Sequence, residues 1–183
     1  INWFMGKHPE RAIGYGGRHR RVTGDQYDFF SVDFDYGAGI SSHSMCRQID
    51  GCANGTGEIV VGTEGYTNCQ NTIWDLDGKV KWKFEYPPDE NGNPTNSLRI
   101  PSYVQEHMHL VWAIRTGNYV NEAEQTAYST LTAIMGREAA YTGRLVTWDD
   151  ILKSDLKLGP EKIEMGPVDM KFEPPVPGLP VQV

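Results

Sequence analysis

Between positions 30 and 36 the chain alternates without exception: Phe30, Val32, Phe34 and Tyr36 are apolar, and Ser31, Asp33 and Asp35 between them are polar. A period of two puts the first set on one side of a β-strand and the second on the other, so this segment specifies a strand dry on one face and wet on the other. Gly37-Ala38-Gly39 then turns the chain, and residues 41–49 read as the returning strand. Neither side of that second strand is purely apolar. His43, Met45 and Arg47 share one side, and Ser42, Ser44, Cys46 and Gln48 share the other. A strand facing only water has no need of Met and Cys, and a core strand does not carry His and Arg, so the expectation is a strand bordering a polar cleft. Further strands are expected over 58–63, 72–76 and 79–86, the last two joined through Asp77-Gly78, a dipeptide suited to a tight hairpin. Consecutive hairpins predict one antiparallel meander from about residue 12 to residue 84.

After a polar loop rich in Asn, Pro and Gly over 87–101, the apolar period changes from two to 3.6. Val104, His107, Met108, Val111 and Ile114 recur at three- and four-residue steps, which predicts a helix over 102–116 with this stripe against the sheet and a stop at Gly117. A second helix is expected to open at Asn121, with Glu124 completing a capping box. Its stripe is Ala123, Ala127, Leu131, Ile134 and Met135, and Gly143 ends it. Thr147 with Asp150 repeats the cap logic for a short third helix through Leu152. From Lys157 the chain is punctuated by proline and closes on PPVPGLPVQV, an extended tail that drapes over a neighbour or stays mobile. Strands first and helices after predict an α+β fold, an open-faced, mostly antiparallel β-sheet with helices packed on one face. The expected organisation is a single domain over 1–156 and a tail over 157–183. Helices on one side leave the other side of the sheet as an interface.

Composition narrows the function classes. A formal net charge of -7 on 183 residues is the wrong sign for a nucleic-acid footprint. No apolar run approaches the roughly 20 residues that cross a bilayer. No basic-then-apolar leader precedes Ile1, and an opening at Ile reads as a trimmed or cloned piece. Cys46, Cys52 and Cys69 form an odd set without a C-x-x-C spacing, so neither a zinc knuckle nor a disulfide framework is indicated. They are expected as buried free thiols, with a Cys52–Cys69 bridge as the alternative in an exported parent.

The run NEAEQTAYSTLTAIMGREAAYTG over 121–143, followed by RLVTW, resembles the close of the C-terminal domain of the Gfo/Idh/MocA oxidoreductases, the glucose–fructose oxidoreductase and inositol dehydrogenase superfamily. INWFMGKHPERAIGYGGR at the start is similar to the tail of that family's domain-junction helix as it leads into the sheet. The likeness is strongest over 1–17, 27–52 and 103–148 and weakest over 71–98. There is no strand–GxGxxG–helix unit of the kind that seats a dinucleotide pyrophosphate, so the resemblance implies half of an enzyme. It implies NAD or NADP in the full-length parent and none bound by this chain. It implies as partners an N-terminal Rossmann domain of the same parent, further copies of the chain joined through the open sheet face, and a sugar or polyol substrate. The family's bases are a Lys in a Glu-Lys-Pro motif and a His, often with an Asp, on the junction helix. Glu-Lys-Pro does not occur here, and if INWFMG is the end of that helix the His and Asp precede Ile1, so no catalytic residue is carried over. Two alternatives stay open: the same domain of an NAD-dependent glycosidase acting by transient oxidation, and a stand-alone binding or scaffold domain. The compartment stays open between bacterial cytoplasm and periplasm.

Sugar pockets combine hydrogen-bonding groups with apolar faces. Arg18 and His19 after the paired Gly16-Gly17, with Tyr27, are the first candidate substrate-binding set; the competing reading is an exposed basic turn balanced by Asp25 and Asp28. His43 and Arg47, with Met45 between them, are the second set, against a structural ion pair or interface contact. His107 reads as a core histidine. His107 and His109, two apart on a helix, point to different sides, and no metal site is expected. Nothing in the sequence brings Glu64, Asp75, Asp149 and Asp150 together as a glycosidase couple, and Ser41, Ser42 and Ser44 lack a nucleophile-elbow pattern.

Overall fold

The computed structural model describes residues 1–98, 100–160, 162–167 and 173–179. In chain order the elements are α1 (Asn2–Met5), β1 (Arg11–Gly17), β2 (Phe29–Asp35), β3 (Ser41–Arg47), β4 (Val60–Gly62), β5 (Gly65–Thr67), β6 (Thr72–Trp74), β7 (Val80–Lys83), α2 (Ser102–Thr116), α3 (Ala123–Thr142), β8 (Val146–Thr147) and α4 (Trp148–Leu152). The fold is α+β. The chain divides into two compact units, residues 1–52 with 121–183 and residues 53–120, where one domain over 1–156 was expected. The strands form two four-stranded antiparallel sheets, β3-β2-β1-β8 and β4-β5-β6-β7, where one meander was expected. The stretch between β3 and β4 carries Gly51, Asn54, Gly55 and Gly57 and has no apolar alternation, so nothing in it favours continuing the first sheet.

In the first unit the dry side of β2 is covered by α3. Val32, Phe34 and Tyr36 pack with Ala12, Met135, Ala139, Val146, Trp148 and Ile151, and Met135 has no exposed surface. Close approach of helix to sheet requires Gly136, where an added Cβ would sit 2.7 Å from Phe34 Cζ. Glycine to alanine inside a helix ordinarily gains about 1 kcal/mol. Here the methyl enters a filled core, where overpacking costs about 1–3 kcal/mol, so the steric effect wins. Gly136→Ala is therefore expected to lower the melting temperature by a few degrees, and a thermal melt showing a rise would contradict this packing.

The α4 cap forms as expected: Thr147 Oγ1 accepts from the Asp150 N–H at 3.2 Å, and Asp150 Oδ2 accepts from the Thr147 N–H at 2.8 Å. The capping box expected at α3 does not form. The helix begins at Ala123 behind Glu122, which leaves Glu124 one position short of the residue that reaches back to a cap. Its carboxylate accepts the Tyr128 hydroxyl at 3.0 Å instead, while Asn121 Oδ1 accepts from the Ala123 N–H at 3.1 Å. Burial on α3 is displaced toward its C-terminal half, with Met135, Gly136, Ala139 and Ala140 buried and Ala123 and Ala127 exposed.

In the second unit Asp77-Gly78 closes the β6–β7 hairpin, with Asp75 O accepting from the Gly78 N–H at 3.1 Å and Gly78 at φ 82°. Tyr66 stacks on Trp74 at 5.2 Å. The expected stripe of α2 is not buried: Val104, His107, Met108, Val111 and Ile114 are exposed, and Ala113 is the helix's buried residue. Leu110 and Trp112 put apolar groups off that stripe as well, so the sequence marks no single dry side. The three cysteines are free thiols, but Cys46 is exposed and Cys52 and Cys69 are half-buried, against the expectation of burial. The described part of the tail returns to the first unit, where Thr142 O accepts from the Gly178 N–H at 3.0 Å. Positions 161, 168–172 and 180–183 of the expected tail lie outside the described residues.

Candidate functional site

The loop after β1 is organised by one carboxylate. Asp28, 3% exposed, accepts the backbone N–H groups of His19 (3.0 Å), Arg20 (2.7 Å) and Arg21 (3.0 Å). The bond from Arg20, then those from Arg21 and His19, hold its pKa below the ordinary aspartate value against the opposing effect of burial. The stabilisation this lends is present above about pH 4 and is lost as pH falls through the depressed folded value. Asp28→Ala is expected to lower the melting temperature at pH 7 by several degrees, with partial recovery in formate, whose carboxylate fits the same three donors. Equal melts for the variant and the wild type at pH 7 would refute this role.

Arg18 turns back into the same loop, donating from Nε to Arg21 O at 2.5 Å and from Nη1 to Gly24 O at 2.7 Å. Tyr27 is buried, edge-on to Tyr141 at 4.6 Å, and its hydroxyl donates to Pro175 O at 2.7 Å. Burial raises its pKa. His19 gives its backbone to Asp28 and leaves its side chain at the surface. Arg18, His19 and Tyr27 thus belong to the loop between β1 and β2, whereas His43 and Arg47 lie on β3. Gly16-Gly17 ends β1 in this loop and not at a helix N-terminus, and the N–H groups of residues 19–21 are taken by Asp28. This loop therefore has no free N–H cluster to offer a pyrophosphate.

The side of the first sheet turned away from α3 offers more. Strand register sets out its rows as Arg11–Asp35–Ser41, Ile13–Asp33–His43, Tyr15–Ser31–Met45 and Gly17–Phe29–Arg47. Ile13 (53%), Tyr15 (68%) and Met45 (75%) stand exposed along it. Charges pair within the face: Arg11 Nη2 lies 2.6 Å from Asp35 Oδ2, and His43 Nδ1 lies 2.5 Å from Asp33 Oδ1. The Gly37 N–H and then Arg11 hold the Asp35 pKa below the usual range. A hollow of about 310 Å³ opens among Arg11, Ile13, Asp33, Asp35, Ser41 and Leu145. His43 Nε2 also lies 3.3 Å from Ser31 Oγ, so Ser31, His43 and Asp33 form one hydrogen-bonded chain. This has the order of a nucleophile, base and orienting acid, but β2 is paired on both sides and its N–H groups are committed to the ladders. The backbone N–H groups of β2 around Ser31 are thus not offered to an oxyanion.

Sequence reasoning found His43 and Arg47 but passed over Arg11, Ile13, Tyr15, Asp33, Asp35 and Leu145. The signal available was the wet side of the 30–36 alternation, read as solvent-facing. Among the described residues no group of three or more His, Cys, Asp or Glu is placed to hold a metal ion, and no helix is long and apolar enough to cross a membrane. No protein-family model matches the chain, and no curated protein matches it.

Proposed function

We propose that this chain is the assembly half of an NAD(P)-dependent sugar or polyol oxidoreductase, joining copies through the open face of its first sheet while a separate Rossmann domain of the same parent carries the cofactor and the base. The observation that carries the assembly role is the asymmetry of the sheet: α3 seals one side, and the other presents Ile13, Tyr15 and Met45 among charges already paired with one another. The Arg11–Asp35 pair is neutral within itself, so the apolar side chains beside it bury at little electrostatic cost. The oxidoreductase reading rests on the resemblance of 1–17, 27–52 and 103–148. The exposed Trp3 and Phe4 on α1 suit a junction with a preceding domain. Arg18 and Tyr27 belong to the loop at the end of β1 away from α1, and there they shape the turn.

Two measurements test the two parts. Sedimentation velocity on a dilution series should show self-association at micromolar concentration; a monomer up to several hundred micromolar would remove the assembly role. The parent of this proposal, Rossmann domain included, should reduce NAD or NADP with a member of a sugar and polyol panel. Absence of any absorbance at 340 nm across that panel would remove the oxidoreductase reading.

A further inference from the structure

We infer that assembly through the open face takes up protons at His43, so that copies join more tightly as pH falls. This rests on the reading that the face joins two copies. His43 sits opposite Asp33 in the β2–β3 register, with its Nδ1 2.5 Å from the Asp33 carboxylate and its Nε2 3.3 Å from Ser31 Oγ. Both members of the His43–Asp33 pair are about half exposed. With a neutral imidazole, Nδ1–H donates to Asp33 and Nε2 accepts from the Ser31 hydroxyl, and the pair carries one negative charge. With an imidazolium, both ring N–H groups donate and the pair is neutral. On a free face water reaches both states. A second sheet removes that water, and burying a net charge then costs more than burying a hydrogen-bonded neutral pair. A two-fold assembly buries two such pairs, so it gains up to two protons.

The other charged or titratable groups on this face are Arg11 and Tyr15 on β1, Asp35 on β2 and Arg47 on β3. Arg11 is committed to Asp35, and arginines stay charged throughout. Imidazole is the group that changes charge between about pH 5 and 8. The general fall of the net charge of -7 toward zero on acidification also favours association, as do His8, His19, His107 and His109, so the comparison must hold those constant.

Sedimentation velocity from pH 8 to pH 5.5 on the wild type, His43→Gln and Asp33→Asn does so. The dissociation constant of the wild type should fall roughly 10-fold more over this range than that of His43→Gln, which keeps every other titrating group. Asp33→Asn should show the opposite increment, because an imidazolium facing an amide is an unpaired charge to bury. As a readout independent of any variant, the His43 ring resonance should titrate at higher pH at protein concentrations where the assembly dominates than where the monomer does. Equal pH slopes in wild type and His43→Gln, or a concentration-independent His43 titration in a protein that does associate, would overturn the inference and leave the assembly role standing. No association at any pH would overturn the assembly role itself and this inference with it.

Discussion

Trp148→Ala should lower the melting temperature by roughly 10 °C, because removing a buried indole costs about 3–5 kcal/mol and each kcal/mol moves a domain of this size by about 2–4 °C. Trp148 is 7% exposed and lies in the same core as Val32, Phe34, Tyr36 and Met135. Its ring also stacks on His8 at 3.9 Å and 8° and meets the edge of Tyr128 at 5.6 Å and 88°. One truncation therefore opens a cavity and removes the ring on which His8, in the α1–β1 connection, and Tyr128, on α3, both pack, leaving their own edge contact at 5.6 Å. The Trp148 N–H to Glu10 O bond of 2.9 Å is unaffected, so the loss isolates the ring. Trp148→Phe should recover more than half of it. A loss under about 2 °C in Trp148→Ala would mean the ring is not part of the core.

Tyr15→Asp should leave the fold intact and weaken self-association by about 100-fold or more. Tyr15 is exposed on the side of β1 turned away from α3, so the change costs the monomer within about 0.5 kcal/mol. In the proposed assembly through this face the same carboxylate would be buried without a counter-charge, a cost of about 3–5 kcal/mol. Circular dichroism matching the wild type, together with a sedimentation profile moved to the monomer, is the expected pair of results. An unchanged dissociation constant would place the contact elsewhere on the molecule.

The elements with the strongest local signatures were legible in the sequence. The 30–36 alternation, the Thr147–Asp150 cap, Gly117 and Gly143 as helix ends and the Asp77-Gly78 hairpin depend on residues close to one another, and local chemistry decides them. Two-residue β8 and three-residue β5 are too short to show a period. The division into two sheets depends on which strands pair over distance, and the periodicity of each strand is silent on its neighbours. The candidate site was half legible for a related reason. His43 and Arg47 stand out because charge in a strand is conspicuous, but Asp33 becomes informative only when the register sets it opposite His43. Arg18 and Tyr27 look like binding groups in sequence. The partners that occupy them, the carbonyls of Arg21 and Gly24 and of Pro175, are backbone atoms that no residue pattern reveals.

The Asp28 clasp bears on which substitutions this region can absorb. His19, Arg20 and Arg21 meet the carboxylate through main-chain N–H groups, which every residue but proline possesses. The loop's shape is consequently indifferent to most of the side chains it carries. In a library varying positions 19–21, nearly all residues except proline should be accepted, while position 28 should return almost entirely aspartate. A loop whose main chain is held in this way can change what positions 19–21 present without changing how it folds, which suits this turn to diversification.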